Sequence, residues 1–373
     1  MIEGLQLSIP KRMAYIKNIL TIGLLVSVLS GLHLWCGERE FPYAPAIQGY
    51  YLDGIWEIVL LAMYCVLLLA SMFLRKQRLL LFFSMLLAVV LVLADVNRLQ
   101  PWFYFYNAML LVFVFYNGRV DDSNKFTAYF ITLQLVFASV YFFAGLNRLG
   151  TGFIEEEFSH TIAPLQQVLS ERHYLFFLRV GVTLPFALLF MGLGLIITPI
   201  RYLAIALVII FHAVLFFIML PAFGTYNYAL WISQLVFIFL AMFLFSGKTK
   251  QRYFSPSFLF NLPLFYVLVI LFLILPFFNQ SGRWPQYLTL DFKNKKPGLH
   301  TVGLEQAAYN QLPNYERSFC KVKQGNYEID YESWCLHELN ATCTDHKGIE
   351  EKLAGGSKKT DVNPPKNAEL AIN

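Results

Sequence analysis

Long apolar runs separated by short polar or basic turns fill the first 280 residues. Nine of them approach or reach the ~20 apolar residues that a helix needs to cross a bilayer. Their limits fall near 16–36, 54–74, 78–95, 101–117, 126–147, 174–197, 202–220, 226–246 and 257–278. LLLFFSMLLAVVLVLAD and YLAIALVIIFHAVLFFIML are apolar on every face, the pattern of a helix embedded in lipid or in a bundle. The fourth run, PWFYFYNAMLLVFVFYN, is shorter and rich in tyrosine. The first run is long enough to span and has no small-residue cleavage site behind it, so it is expected to remain as a helix.

After residue 280 the period changes. WPQYLTLDF alternates apolar and polar residues as a strand does, and NYERSFCKVKQGNYEIDYESWCLHEL reads as short strands around turns. AGGSKKTDVNPPKNAELAIN, at the end, is polar and rich in Gly, Ser and Pro, the composition of a disordered tail. The expected architecture is an all-α polytopic membrane bundle of about nine helices carrying a small β-rich extracytoplasmic C-terminal domain. Its parts are a cytoplasmic N-terminus (1–15), a transmembrane domain (16–280), the small domain (281–350) and the tail (351–373).

Composition supports a membrane chain: 57% of residues are hydrophobic and only 14% charged, against roughly 25% charged in an average globular domain. The net charge of +5 does not point to nucleic acid, because the cations of the first 280 residues cluster in the turns. With nine spans, twelve fall on one side (Lys11, Arg12, Lys17, Arg75, Lys76, Arg78, Arg119, Lys125, Arg201, Lys248, Lys250 and Arg252). Four fall on the other, namely Arg39, Arg98, Arg148 and Arg172. The positive-inside rule then puts the N-terminus in the cytoplasm and everything after residue 279 outside. Cys36, Cys320, Cys335 and Cys343 land on that outer, oxidising side as disulfide candidates with three possible connectivities, while Cys65 lies within a span. The sequon Asn340-Ala341-Thr342 lies on the same side.

Ionisable groups inside apolar helices are costly and mark interior or functional positions. Here they gather toward the outer half: His33, Asp95, Arg98, Asn147, Arg148, Glu155 and Tyr226 near helix ends, and His212 within the seventh run. Asp95 and Arg98 are three residues apart, a spacing that permits a local ion pair. The scattered histidines His33, His160, His173 and His212 follow no metal-ligand spacing. No glycine-rich phosphate loop or nucleophile elbow is present.

Two stretches carry a resemblance. VYFFAGLNRLGTGFIEEEFS is similar to a YFxAGxxKLxxxWxxG segment, and IIFHAVLFFIMLPAFGTYNY to an FHxxxxxxFxxGxFxY segment, of the vitamin K-dependent gamma-carboxylase-like membrane proteins and their bacterial HTTM (horizontally transferred transmembrane) relatives. The resemblance covers roughly residues 15–280 and implies a membrane bundle acting on a quinone or hydroquinone. In that family the first motif's lysine, as a neutral amine, starts hydroquinone oxygenation, and the strong base produced abstracts a proton from a glutamate side chain. Arg148 occupies the lysine position, and a guanidinium cannot be deprotonated in a protein. Trp102 stands where the carboxylases have a histidine after the third span, in a stretch, DVNRLQPW, like one seen in the bacterial relatives; His212 matches the second motif.

Two functions follow as expectations. One is a membrane oxidoreductase or carboxylase-like enzyme acting on a quinone-type or other lipid-soluble substrate at the outer leaflet, with Arg148, as a fixed cation, and His212 as candidate catalytic residues. The other is a non-catalytic scaffold whose outer tail binds a protein partner. A transporter is a weaker third, since no inverted repeat or broken helix pair is visible.

Overall fold

The computed structural model describes residues 8–36, 45–46, 50, 52, 54–116, 123–149, 153–158, 162, 165–166, 169–220, 228–247 and 262–276, with strand backbones at 301–304, 320–323 and 326–330. Helix α1 (Ile9–Ser30) begins with Pro10 in its first turn, where a missing amide proton costs nothing. After Gly31 comes the single turn α2 (Leu32–Trp35). α3 (Gly54–Phe73) and α4 (Gln77–Ala94) form a hairpin, and a 3₁₀ turn (Val96–Arg98) leads into α5 (Pro101–Phe115). Then follow α6 (Ser123–Asn147), a π turn (Phe153–Phe158), α7 (Glu171–Gly181) and α8 (Leu184–Ile196). α9 (Arg201–Ile218), α10 (Tyr228–Phe245) and α11 (Pro263–Val269), extended by a π turn to Ile274, complete the helices.

Every one of the nine apolar runs contains helix. Six helical segments are long and apolar enough to cross a membrane, seven if the bent pair α7–α8 counts as one, so the chain is an integral membrane protein. α5 and the α11 segment are shorter. The brevity of α5 has a packing cause: Trp102, Phe103, Phe105, Tyr106, Met109, Leu110 and Val112 are all buried, and α1, α4, α6, α10 and α11 surround it. A helix walled in by protein needs no lipid-matched length. α3 and α4, by contrast, leave Ile55, Trp56, Val66, Phe82 and Val89 exposed, the lipid-facing side of a span.

The sixth run, expected as one continuous helix, is bent by 49° between α7 and α8. Pro185 causes the break, because it offers no amide to the Gly181 carbonyl and its ring crowds that turn. The chain tightens there to i−3 bonds, Val182 N–H to Arg179 O and Thr183 N–H to Val180 O.

Helix ends follow a common rule. The last-turn carbonyls of a helix lack intrahelical partners, and in a low-dielectric interior each must find a donor. Lys17 Nζ reaches Ser71 O at the end of α3 (2.9 Å), and Arg78 Nε reaches Val114 O at the end of α5 (2.7 Å). Arg201 Nε and Nη2 reach Leu195 O and Ile196 O at the end of α8 (2.9 and 3.1 Å). Arg12 Nε reaches Phe243 O in α10 (2.7 Å), next to Gln134 Nε2 on Leu244 O (2.6 Å), and its guanidinium lies 4.5 Å from the centre of the Phe130 ring. Gly247, with φ 101°, then turns the chain out of α10 through the left-handed region.

α6, which carries the first of the two resembling motifs, is held backbone to backbone against α8. A Cβ on Gly145 would lie 2.6 Å from Pro185 O, and one on Gly192 would lie 2.6 Å from Phe142 N. Small residues at such crossings let membrane helices approach closely. Beyond the bundle, β1 (Thr301–Leu304), β2 (Cys320–Lys323) and β3 (Asn326–Asp330) form an antiparallel sheet in the order β1-β3-β2, with Cys320 opposite Ile329 and Thr301 opposite Asp330. The expected strand at WPQYLTLDF and the expected disordered end lie outside the described residues.

Replacing Gly192 by Val is expected to destabilise the protein by about 2 kcal/mol or more through overpacking at α6, read as a lowered unfolding midpoint in detergent. Gly54→Ala, whose new methyl would meet nothing within 4 Å, is expected to leave the midpoint unchanged.

Candidate functional site

The polar positions of the sequence do not form one cluster. They divide into two hydrogen-bonded groups on different helices, with Asn147 and Arg148 at the end of α6 apart from both.

The first group lies where α2, α3 and α4 meet. Arg98 is fully buried, and its guanidinium is ion-paired with Glu57, in the first turn of α3. The same guanidinium donates to Leu34 O (3.3 Å) and Trp35 O (3.0 Å) at the end of α2 and to Leu91 O (3.1 Å) in α4. Asp95, three residues before Arg98, uses Oδ1 to accept from the Asn97 backbone N–H (3.2 Å) and from Asn97 Nδ2 (3.0 Å), capping the 3₁₀ turn. Gln100 Nε2 donates to Asn97 O (2.7 Å). One cation thus serves two helix C-termini, while its carboxylate partner sits at a helix N-terminus, both favourable to the macrodipoles. This is the chemistry of a joint rather than of a reaction centre.

The second group is buried within the bundle, where α6, α9 and α10 meet. Tyr141 Oη lies 2.6 Å from His212 Nε2, and His212 Nδ1 lies 2.7 Å from Gln234 Oε1. The proton positions follow from Gln234. Its amide nitrogen donates to Leu230 O (2.9 Å), so its oxygen faces the imidazole as acceptor. His212 is therefore assigned as the neutral Nδ1–H tautomer, its Nε2 lone pair accepting the tyrosine hydroxyl proton. Phe237, one turn after Gln234, stacks on the ring at 4.9 Å, and Tyr141 and Phe211 meet it edge-on. All three polar side chains are buried, His212 with 6% of its surface exposed.

A hydroxyl on an imidazole whose other nitrogen is oriented by a carbonyl is the arrangement by which enzymes raise the basicity of a hydroxyl. Here the hydroxyl is a phenol. Accepting its proton would turn His212 into an imidazolium stabilised by the Gln234 oxygen and by the face of Phe237.

Of the other expected site residues, Arg148 is half-buried, donating from Nη1 to Ala144 O (3.1 Å), with its guanidinium 5.9 Å from the Phe153 ring centre. Asn147 is buried, and its amide has no hydrogen-bond partner among the described residues. His33 is exposed on α2. Cys36, at the end of α2, and Cys65, within α3, are free thiols. Tyr226, Cys335 and Cys343, and the side chains of Glu155 and Cys320, lie outside the described residues. Among the described residues no three His, Cys, Asp or Glu side chains gather as an ion site.

Tyr141, Gln234 and Glu57 are not among the site residues expected from the sequence. Two of them carry a signal: Glu57 is the only acid in GIWEIVLLAMYCVLLLASMF, and Gln234 the only amide in YALWISQLVFIFLAMFLF. A lone polar side chain in an apolar run has to face the interior. Tyr141 is one of 21 tyrosines and carries no such mark.

Arg98→Met would remove the ion-pair partner of the buried Glu57, an expected loss of about 3–5 kcal/mol. The double change Arg98→Met with Glu57→Gln is expected to recover part of that loss. Detergent unfolding midpoints of the two single variants and the double variant measure the coupling.

Comparison with known protein families, with characterised proteins and with solved structures gave no match to this chain.

Proposed function

We propose that the protein is a multi-pass membrane enzyme of the gamma-carboxylase-like (HTTM) type that draws a proton from a lipid-soluble, hydroxyl-bearing substrate of the quinone and hydroquinone class. The observation that carries this reading is the 2.6 Å contact between Tyr141 Oη and the unprotonated Nε2 of a buried histidine fixed by Gln234. A substrate hydroxyl beside Tyr141 passes its proton to the phenol oxygen as the phenol proton moves to His212 Nε2. The products are a substrate anion, an unchanged tyrosine and an imidazolium. Arg148 lies two turns beyond Tyr141 on the same helix, about 10 Å along its axis, and serves in this reading as the fixed cation that attracts the anion. Carboxylation through an amine base is not part of the reading, since a guanidinium cannot supply that base.

The same proposal includes the finer topology. Counting the two shorter helices gives nine crossings, with the N-terminus in the cytoplasm. Residues 281–350 then form a small β-rich domain outside, where Cys320, Cys335 and Cys343 meet an oxidising compartment. The bias of cations toward one side supports this orientation.

A non-catalytic scaffold that uses its outer tail to bind a protein partner is the second reading. One observation favours it: both ring nitrogens of His212 already have partners within the protein.

The two readings separate on one experiment. Purified full-length protein in nanodiscs is titrated with menaquinone and menaquinol, and saturable quenching of the intrinsic tryptophan fluorescence is measured beside thermal unfolding. The enzyme reading expects saturable binding, a loss of affinity of tenfold or more in His212→Leu, and a stability cost of only about 1 kcal/mol in Tyr141→Phe. Absence of saturable binding, or variants that bind as the parent does, overturns it. The scaffold reading then expects truncation after residue 280 to abolish cellular function while His212→Leu is tolerated.

A further inference from the structure

Helix α7 has a docked side and an exposed side. Tyr174 and Leu178 are half-buried and Gly181 is buried, so this side docks on the protein, and a Cβ on Gly181 would collide with the Phe158 ring. The other side is open to solvent or lipid: Phe176 is 62% exposed and Val180 45%, with Phe177 beside them. The same side carries Arg172 and Arg179, both exposed and seven residues apart on one stripe about 10 Å long, with Phe176 between them at i+4 and i−3. His173 is held away from that stripe, its Nδ1 2.7 Å from Ser170 Oγ.

The bend gives these sides a setting. α8 has 13 residues and rises about 20 Å, short of the ~30 Å of hydrocarbon. With α8 along the bilayer normal, α7 leaves it at 49° and slants through the last ~10 Å, the boundary between acyl chains and headgroups. At that depth exposed phenylalanines contact acyl chains, while arginines extend toward the phosphates.

We infer that α7 is a binding site for anionic phospholipid, with the headgroup phosphate on Arg172 and Arg179 and the acyl chains against Phe176, Phe177 and Val180. Charge decides between lipids. Two guanidiniums on one stripe attract a headgroup with net negative charge over a zwitterionic one, and a guanidinium fork fits phosphate oxygens in pairs. Glu171 stands in the first turn, where a carboxylate favours the helix dipole. The site is independent of the Tyr141–His212 pair and of any activity assigned to it.

The test uses the full-length protein, mixed in detergent with equal phosphatidylglycerol and phosphatidylcholine and examined by native mass spectrometry. Phosphatidylglycerol is expected to be retained over phosphatidylcholine, with a loss of roughly fivefold for each arginine replaced in Arg172→Gln and Arg179→Gln. Arg75→Gln with Lys76→Gln, at the exposed turn between α3 and α4, is expected to change nothing, and Phe176→Ser to weaken retention with both arginines intact. Equal retention of the two lipids, or a double arginine variant that binds as the parent does, overturns the inference. Displacement of the lipid by inorganic phosphate at constant ionic strength overturns it too, since the site would then be one for free phosphate.

Discussion

A carbonyl in the last turn of a helix has no partner in its own helix, and inside a bilayer it has no water to turn to. Much of this protein's architecture follows from that constraint. Each of α3, α5, α8 and α10 ends against a cation borne by another helix: Lys17, Arg78, Arg201 and Arg12. α2 and α4 share Arg98, α6 ends on Arg148, and α9 ends on Trp231, whose indole N–H reaches Phe216 O at 3.1 Å. Hydrogen bonds from charged donors contribute about 1.5–3 kcal/mol each, so the set is a major stabilising element. The same cations that read as orientation signals in the sequence therefore act as caps in the fold.

Those caps also explain how a polar pair can persist at the helix junction. Glu57 would be costly as a lone carboxylate among apolar residues. Arg98 offsets that cost, and its guanidinium also donates to three carbonyls. The junction positions α3 and α4 against α2 and frees the interior formed by α6, α9 and α10 for a different chemistry. There the side chains are neutral. A phenol, an imidazole and an amide form a chain with donors and acceptors matched at each step, the condition under which a buried network is stabilising.

Helix contacts position that second group. Gly145 and Gly192 let α6 lie backbone to backbone against α8, and α8 in turn packs against α9, which carries His212. The glycine of the AGLN segment therefore has a packing role, and Tyr141 lies two turns before Arg148 on the same helix. A resemblance of motifs drew attention to Arg148 and His212. The fold adds Tyr141 of α6 on one side of the imidazole and the Gln234 amide on the other.

By itself the sequence determined which segments become helices, that the chain is a membrane protein, and that His212 is an interior side chain, while the full burial of Arg98 came from the fold. Hydropathy and the cost of buried charge are local properties, legible one run at a time. It did not determine that Arg98 pairs with Glu57, 41 residues away, that the sixth run bends at Pro185, or that the outer polar residues separate into two groups. Nor did it mark Tyr141, one tyrosine among many. Those outcomes depend on which helices become neighbours and at what depth. That choice is made by close packing at positions such as Gly145 and Gly192, and by the need to find donors for carbonyls at the helix ends. Only the assembled bundle meets both conditions at once.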